Sequence, residues 1–246
     1  MRGSQPKIIT TSWDDGHPAD RKLADLLVKY QIKATFYIPR TNPERDVLPE
    51  NEIKELSTEF EIGGHTLNHV LLDRLDASAA NDEILGCQKW LSDILGLPAR
   101  SFCYPAGRFT TVNVGSVKAA NFAYARTVQL LRTDVLGAYH APTTLQMYKH
   151  RMSSYLKNSL KRSNFSGLRV LLFDFRGTTD LVEMTRLFLE KIENEGGVFH
   201  LWGHSWEIDN NNSWKELDMI LSLLSKRSDF RYVTNGELST LIPSTM

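Results

Sequence analysis

The chain has 246 residues, 41% of them hydrophobic and 24% charged, a composition typical of globular proteins and a length that allows one large core. Its 29 basic and 29 acidic side chains cancel, so the charge balance gives no support for a nucleic-acid partner or a membrane-surface partner. No apolar run approaches the ~20 residues of a membrane span, the opening MRGSQPKIIT shows no secretory signal, and the two cysteines form no disulfide framework, which together favour a cytoplasmic protein.

Predicted strands alternate with predicted helices from the start of the chain. KIITTSW is β-rich and nearly continuous, as expected for a parallel strand that is buried on both faces. In RKLADLLVKY, which follows it, the leucines at 23, 26 and 27 share one helical face. Further on, the sequence predicts strands over 33–39, 60–65 and 101–107 and helices over 51–58 and about 81–95.

The second half of the chain continues this alternation. We predict helices over 114–122, 181–192 and 214–224 and strands over 124–128, 197–203 and 230–234. Strands that alternate with helices across short turns favour a parallel α/β fold. Six or seven such units in a chain of this length fit a barrel better than an open sheet. Because no repeat or linker interrupts the pattern, we predict a single domain over 1–246.

One segment of the second half is entirely free of acidic residues. It lies between Asp134 and Asp174 and carries six basic residues: Lys149, Arg151, Lys157, Lys161, Arg162 and Arg169. Apolar residues at 148, 152, 155 and 156 have helical spacing, so part of the segment is predicted to be a basic amphipathic helix. Two interpretations stay open: a solvated face opposite the acidic stretch 44–61, or an anion-binding lip for a phosphorylated or nucleotide-linked sugar.

Chemically reactive side chains follow four of the predicted strands. Asp14 and Asp15 end the first strand, the stretch GGHTLNH follows the third, and Tyr104 and His204 end two later ones. In a parallel barrel the carboxyl ends of the strands meet at one rim, where the chemistry is found. We therefore expect these side chains to lie close together.

The residue types at this rim are those of a metal site. On a helical turn, His65 and His69 would project their imidazoles from one face. A carboxylate with two histidines leaves a coordination position open for water. A cation facing the aspartate pair would neutralise one carboxylate and let the other act as a base. Taken singly, a His-x-x-x-His pair is more often a polar helix face, and Asp-Asp-Gly is a common turn.

These motifs, in this order, resemble the polysaccharide deacetylases with the NodB homology domain, which form carbohydrate esterase family 4. The matching stretches are TSWDDG with Trp13 at the apolar position, HTLNH, and LWGH, and the resemblance covers about 8–234. It implies a distorted (β/α)7 barrel, similar to a TIM barrel, with one divalent ion, zinc first and cobalt or nickel as alternatives. It assigns Asp14 as the general base, His204 as the general acid, and three metal ligands: Asp15, His65 and His69.

The family's middle motif, Arg-x-Pro-Tyr-Gly, departs from its usual form here. In FCYPAGRF, Cys103 occupies the arginine position and Ala106 the tyrosine position. The family holds the oxyanion with the backbone N–H at the tyrosine position, and an alanine retains that donor. We therefore predict that Tyr104 and Ala106 border the oxyanion and substrate site. Arg126, preferred over Arg108, is predicted to supply the missing charge beside the base, with a surface salt bridge as the alternative.

Two further parts of the site are less well defined by the sequence. Trp13, Trp202 and Trp206 flank the motifs, and aromatic faces suit sugar rings, although core packing explains them too. We expect either Trp202 or Trp206 to touch the substrate. The family's fourth, acidic motif is absent, and Asp174 is the only candidate to support the acid; an ordinary loop aspartate is the preferred interpretation.

The resemblance predicts a metal-dependent hydrolase that removes N-acetyl groups from an amino sugar or glycan. A metal-activated water would attack the acetamide, with an aspartate as base and a histidine as acid. Two alternatives stay open: hydrolysis of another C–N bond, such as a formamido or ureido group, and non-catalytic carbohydrate binding on the same fold. The expected partner is an N-acetylated sugar or oligosaccharide, preferably a small or soluble one.

Overall fold

A computed structural model describes residues 5–134 and 137–241. Within these ranges one sheet contains eight strands, all paired in parallel. Their bounds are β1 (Lys7–Asp14), β2 (Ala34–Ile38), β3 (Glu61–Gly64), β4 (Ser101–Cys103), β5 (Tyr124–Arg126), β6 (Leu145–Gln146), β7 (Gly197–Gly203) and β8 (Arg231–Tyr232).

The sheet is curled, and the chain passes directly from one edge strand, β5, to the other edge strand, β6. The strand order is β5-β4-β3-β2-β1-β7-β6, and β8 pairs with β1 at Ile8 and Ile9. The chain leaving β5 turns back beside it, where the Ala141 N–H donates to the Ala125 carbonyl at 3.0 Å. It then continues into β6 at the opposite edge. The result confirms the predicted distorted (β/α)7 barrel.

Helices follow most of the strands. Their bounds are α1 (Asp20–Tyr30), α2 (Glu50–Leu56), α3 (Ala77–Leu95), α4 (Thr111–Ala119), α5 (Met152–Lys161), α6 (Phe165–Arg169), α7 (Leu181–Glu195), α8 (Ser205–Asn210), α9 (Trp214–Leu224) and α10 (Asn235–Leu238). Short 3-10 turns occupy Leu72–Arg74 and Pro105–Gly107, and a π turn occupies Val170–Asp174. The basic amphipathic helix of the acid-free segment is confirmed as α5, although Tyr148 lies before it.

The barrel core explains the sequence of the first strand. Seven of the eight residues of β1 are buried because β2 and β7 flank it and helices cover the sheet. Trp13 is fully buried among core side chains, so of its two interpretations core packing is the correct one. This arrangement carries Asp14 and Asp15 to the carboxyl end of the central strand.

Three sequence expectations concern the chain as a whole. Both cysteines are free and buried, in agreement with the absence of a disulfide framework. Among the described residues, no helix is long and apolar enough to cross a membrane. The single domain over 1–246 stays a prediction.

Candidate active site

The aspartate pair at the end of β1 is split between two environments. Asp15 has a φ of 80°, in the left-handed region, and its N–H donates to the Tyr37 carbonyl of β2 at 3.0 Å. Gly16 follows with a φ of 63°, and a Cβ there would lie 2.6 Å from Ile38 Cγ2. The chain therefore reverses sharply at the strand end, and this turn needs glycine. Because of it the two neighbouring carboxylates contact different partners.

Asp15 faces the two histidines of the HTLNH stretch. Its Oδ1 lies 3.0 Å from His69 Nε2 and 3.7 Å from His65 Nε2, and the two imidazole centroids are 5.1 Å apart. The residues do not form a helical turn, because Thr66 and His69 have φ values of 61° and 53°. The helical explanation of their spacing is therefore wrong, and a loop with two left-handed residues brings the imidazoles together.

The protonation states of His65 and Asp15 favour the binding of a cation. The His65 Nδ1 lies 2.8 Å from the Cys103 carbonyl oxygen, which can only accept, so Nδ1 carries the proton and the Nε2 lone pair faces Asp15. Burial lowers the pKa of His65 to about 4 against the opposing charge of Asp14, so the imidazole is neutral. Burial alone would raise the pKa of Asp15, but the hydrogen bond with His69 and the charge of His204 outweigh burial, and the pKa lies well below its usual range.

The donor set fits a divalent metal ion. The three ligand atoms from Asp15, His65 and His69 all lie within 4.8 Å of one another, and a carboxylate with two imidazoles is a common zinc donor set. A second group with the same spacing contains Asp14, His65 and Cys103. It fits less well, because burial holds the pKa of the Cys103 thiol well above its usual value and keeps it protonated.

Asp14 forms a buried ion pair with Arg126. The Arg126 Nη2 donates to Asp14 Oδ2 and lies 2.8 Å from Cys103 Sγ, while both Asp14 and Arg126 are almost inaccessible. The guanidinium also stacks 4.5 Å from the Trp202 ring centroid. Burial opposes the arginine charge, but Asp14 outweighs it and raises the pKa of Arg126, so the guanidinium stays charged. Among the described residues, Asp14 Oδ1 has no hydrogen-bond partner.

Arg108 takes no part in this arrangement. Its Nε donates to Asp73 at 2.8 and 3.0 Å, on the 3-10 turn that follows the histidine loop. The predicted preference for Arg126 over Arg108 therefore agrees with the contacts of both side chains, while the effect of Arg126 on chemistry stays a prediction.

His204 lies between the end of β7 and the start of α8 and is oriented by a residue that the sequence analysis missed. Its Nδ1 lies 2.6 Å from Glu207 Oε2, and Glu207 also accepts from Gln146 Nε2 at 3.1 Å. Burial lowers the pKa of His204, but the hydrogen bond to Glu207 and the charges of Asp14 and Asp15 outweigh it, so the pKa is raised. Asp174 is exposed on the π turn, and Glu207 occupies the supporting position instead.

The predicted oxyanion and substrate residues have different environments. Ala106 is exposed with a φ of 51°, and its N–H donates to no acceptor in the described part of the chain. The Tyr104 side chain is buried: its hydroxyl donates to the Tyr139 carbonyl at 3.2 Å, and its ring stacks on Phe109 at 4.0 Å. The backbone of Ala106 is thus available to a ligand, and the Tyr104 phenol is not.

The tryptophans at this rim have structural contacts. Trp206 Nε1 donates to Asp15 Oδ2 at 2.8 Å, and the Arg45 guanidinium lies 3.5 Å from its ring centroid. Trp202 is 5% exposed and lies between Arg126 and His204. Trp206 is the more accessible of the two predicted candidates. It also orients a predicted metal ligand, a role that the sequence did not reveal.

Comparison with known proteins agrees with the motifs. The family model described as polysaccharide deacetylase matches residues 2–125. A bifunctional xylanase/deacetylase of Pseudobutyrivibrio xylanivorans is 22% identical over 194 residues, which is 78% of this chain and 29% of that protein. The peptidoglycan-N-acetylmuramic acid deacetylase PdaC of Bacillus subtilis (strain 168) is 34% identical over 92 residues, which is 37% of this chain and 19% of that protein. The chain thus spans less than a third of the length of both relatives.

A solved structure shows the fold over nearly the whole chain. The chitin deacetylase of Colletotrichum lindemuthianum superposes with a TM-score of 0.60 at 15% identity, covering 98% of this chain and 91% of that one. At this identity the likeness supports the barrel architecture alone.

Proposed function

The chain belongs to the polysaccharide deacetylase family, and from that membership we propose that it is a metal-dependent hydrolase that removes N-acetyl groups from an amino sugar or glycan. The observation that carries the proposal is the convergence of Asp15, His65 and His69 within 4.8 Å of one another, next to a base candidate and an acid candidate. Non-catalytic carbohydrate binding would have no use for a base and an acid beside such a cluster.

Three residues would hold the ion. Asp15 offers a carboxylate oxygen, and the two histidines offer Nε2 atoms, with His65 oriented by the Cys103 carbonyl and Asp15 oriented by Trp206. When bound, a divalent ion supplies Lewis-acid chemistry, activating water and polarising a carbonyl oxygen. Zinc is the proposed ion, and cobalt and nickel are the alternatives.

Asp14 and Ala106 would act on the attacking side. Asp14 is paired with Arg126, and its Oδ1, which has no hydrogen-bond partner among the described residues, can accept a proton from the attacking water. The Ala106 N–H, which has no acceptor in the described part of the chain, can donate to the oxyanion that develops on the acetyl oxygen.

His204 would complete the reaction from the other side. Its Nδ1 is tied to Glu207, so Nε2 is the atom that can give a proton to the departing sugar nitrogen. The C–N bond breaks as the nitrogen receives that proton, and the products are acetate and a free amine. The proton taken by Asp14 balances the one given by His204.

An acetate-release screen tests the proposal. Purified protein with zinc, cobalt or nickel is incubated with monomeric, oligomeric and polymeric N-acetyl sugars, and acetate and free amine are measured in parallel. Equal amounts of both, abolished in an Asp14→Asn variant, are the expected result. Formate or ammonia from formamido or ureido compounds would favour the alternative reaction. Sugar binding without any product from these three bond types would contradict a catalytic function.

Two parts of the proposal concern context. We propose a small or soluble sugar as substrate, and a cytoplasmic location stays a prediction. Activity only on insoluble polymer would contradict the first, and recovery of the native protein outside the cytoplasmic fraction would contradict the second.

A further inference from the structure

A small cavity lies beside the turn that carries Ala106. Its volume is about 310 Å³, which is at the lower end for small-molecule sites. The residues that line it are Asp73, Gly107, Arg108, Phe109, Lys161 and Arg162. Gly107 directly follows Ala106, and Asp73 lies on the turn after the histidine loop, so the cavity adjoins the proposed oxyanion position.

The positive charges of this cavity are not balanced. Asp73 is paired with Arg108. Within the described ranges, no carboxylate lies within ion-pair distance of Lys161 or Arg162. The Arg162 guanidinium donates a hydrogen bond from Nη2 to the Gly107 carbonyl at 3.3 Å. The cavity thus carries an excess of two positive charges.

Arg162 is held in place, in contrast to an ordinary surface arginine. It is half-buried at the end of α5, and its Nη2 would lie 2.8 Å from a Cβ at Gly107, so the guanidinium packs directly on the turn. The helix itself is anchored by Asn158, whose side chain accepts from the Leu130 N–H at 3.1 Å and donates to the Val128 carbonyl at 2.9 Å. A fixed, partly desolvated guanidinium suits an anion, and most of the five Arg162 donors have no partner among residues 5–134 and 137–241.

The structure also divides the acid-free segment into two parts. Lys149, Arg151, Lys157 and Arg169 are exposed and lie outside the cavity lining, as expected for a solvated face. Lys161 and Arg162 line the cavity next to the proposed reaction centre. The anion-binding interpretation therefore concerns these two residues rather than the whole segment.

We propose that Lys161 and Arg162 form a subsite for an anionic substituent, a carboxylate or a phosphate, on the sugar that carries the acetamido group. This inference rests on the proposed function, because it places the substituent beside the Ala106 N–H. Arg162 would bind two anion oxygens through its planar donors, and Lys161 would add a second charge. The substrate class is then an acidic N-acetyl sugar.

A comparison of matched substrates tests the subsite. N-acetylglucosamine, its 6-phosphate and 1-phosphate, and N-acetylmuramic acid differ in the presence and kind of anion. For the wild-type protein we expect a higher kcat/KM with at least one anionic sugar than with the neutral one. In Arg162→Gln and Lys161→Gln, the ratio of anionic to neutral kcat/KM should fall about tenfold, mainly through KM. Lys157→Gln removes the same charge from the exposed face of α5 and should keep the wild-type ratio.

The same data show whether the subsite binds a phosphate or a carboxylate. Preference for the phosphates assigns the site to a phosphorylated sugar, and preference for the muramic acid assigns it to a carboxylate. No preference for any anionic sugar, or an equal loss in Lys157→Gln, would overturn the subsite. If Arg162→Gln fails to fold, as judged by circular dichroism, Lys161→Gln decides the result, because its side chain is exposed.

A binding measurement separates failure of the subsite from failure of the proposed reaction. Calorimetric titration of metal-free protein with N-acetylglucosamine 6-phosphate, 1-phosphate and N-acetylmuramic acid needs no turnover. Binding of an anionic sugar that is weakened by Arg162→Gln but not by Lys157→Gln supports the subsite even if no acetate is ever released. If the protein releases acetate from neutral sugars but neither binds nor prefers an anionic sugar, the proposed deacetylation is supported and the anion subsite is refuted.

Discussion

The Glu207 carboxylate should control the pH range in which the protein is active. Glu207→Gln keeps the size of the side chain but removes the charge that holds His204 Nδ1 at 2.6 Å. A hydrogen bond to a charged group contributes about 1.5–3 kcal/mol, so its loss should lower kcat about 10-fold to 100-fold at pH 8. The loss has a definite pH dependence, because the same contact raises the pKa of the imidazole.

The sign follows from the role of the acid. Burial lowers the pKa of His204, and Glu207, Asp14 and Asp15 raise it further than burial lowers it. The proposed acid must be protonated, so kcat should fall as the pH rises through this pKa. Without Glu207 the pKa drops, and the alkaline limb of the profile moves to lower pH. The loss of kcat in Glu207→Gln should therefore be largest above pH 7 and should become smaller towards pH 5.5.

The assay is kcat against pH for the wild type and for variants at Glu207. Asp209→Asn is a matched control, because it removes a carboxylate from an exposed position on the same helix, α8. We expect the control to keep the wild-type alkaline limb. A deficit in Glu207→Gln that is constant across the pH range would refute the reasoning, since it would mean that the carboxylate only positions the ring or supports the fold.

Three further predictions concern the metal and the buried charges. His69→Ala should reduce the metal content of the purified protein, as measured by mass spectrometry, whereas His204→Ala should leave the metal content unchanged. The opposite result would mean that His204 is a metal ligand and that His69 is the general acid. Arg126→Gln should lower the free energy of unfolding in urea by about 3–5 kcal/mol, because it leaves a buried carboxylate unpaired, and a loss below about 1 kcal/mol would show that the pair is not formed. Trp206→Phe removes the indole donor to Asp15 and should weaken zinc affinity about 10-fold to 100-fold, with unchanged affinity as the contrary result.

The long elements of the fold were predictable from the sequence because burial imposes a pattern on them. Parallel strands that are covered on both faces require apolar or β-branched residues, which made β1 and β7 recognisable almost to their ends. Shorter elements have no period to detect: β6 has two residues, and α6 and α10 have five and four. The conformation of these short segments is determined by their tertiary contacts, which the local sequence does not indicate.

At the site, residue types were more predictable than conformations. The two histidines were identified correctly as neighbours, but their proximity depends on two left-handed residues, and no propensity indicates that Thr66 adopts such a φ. Glu207 had a detectable signal: it stands three residues after His204 at the start of a helix, where i and i+3 side chains meet. The sequence prediction named Asp174 as the only candidate for this role and so missed Glu207.

The exchange of arginine for cysteine in the middle motif follows from the register of the sheet. Cys103 ends β4 and Arg126 ends the neighbouring β5, and the two residues are register partners. Side chains at paired positions of parallel strands point to the same face of the sheet, so a guanidinium on β5 can reach the space that an arginine on β4 would fill. Cysteine is small enough to leave that space open, and its Sγ lies 2.8 Å from Arg126 Nη2. The positive charge beside Asp14 can therefore come from either of the two paired positions, on β4 or on β5. A sequence motif that covers only β4 cannot show that the arginine lies on β5.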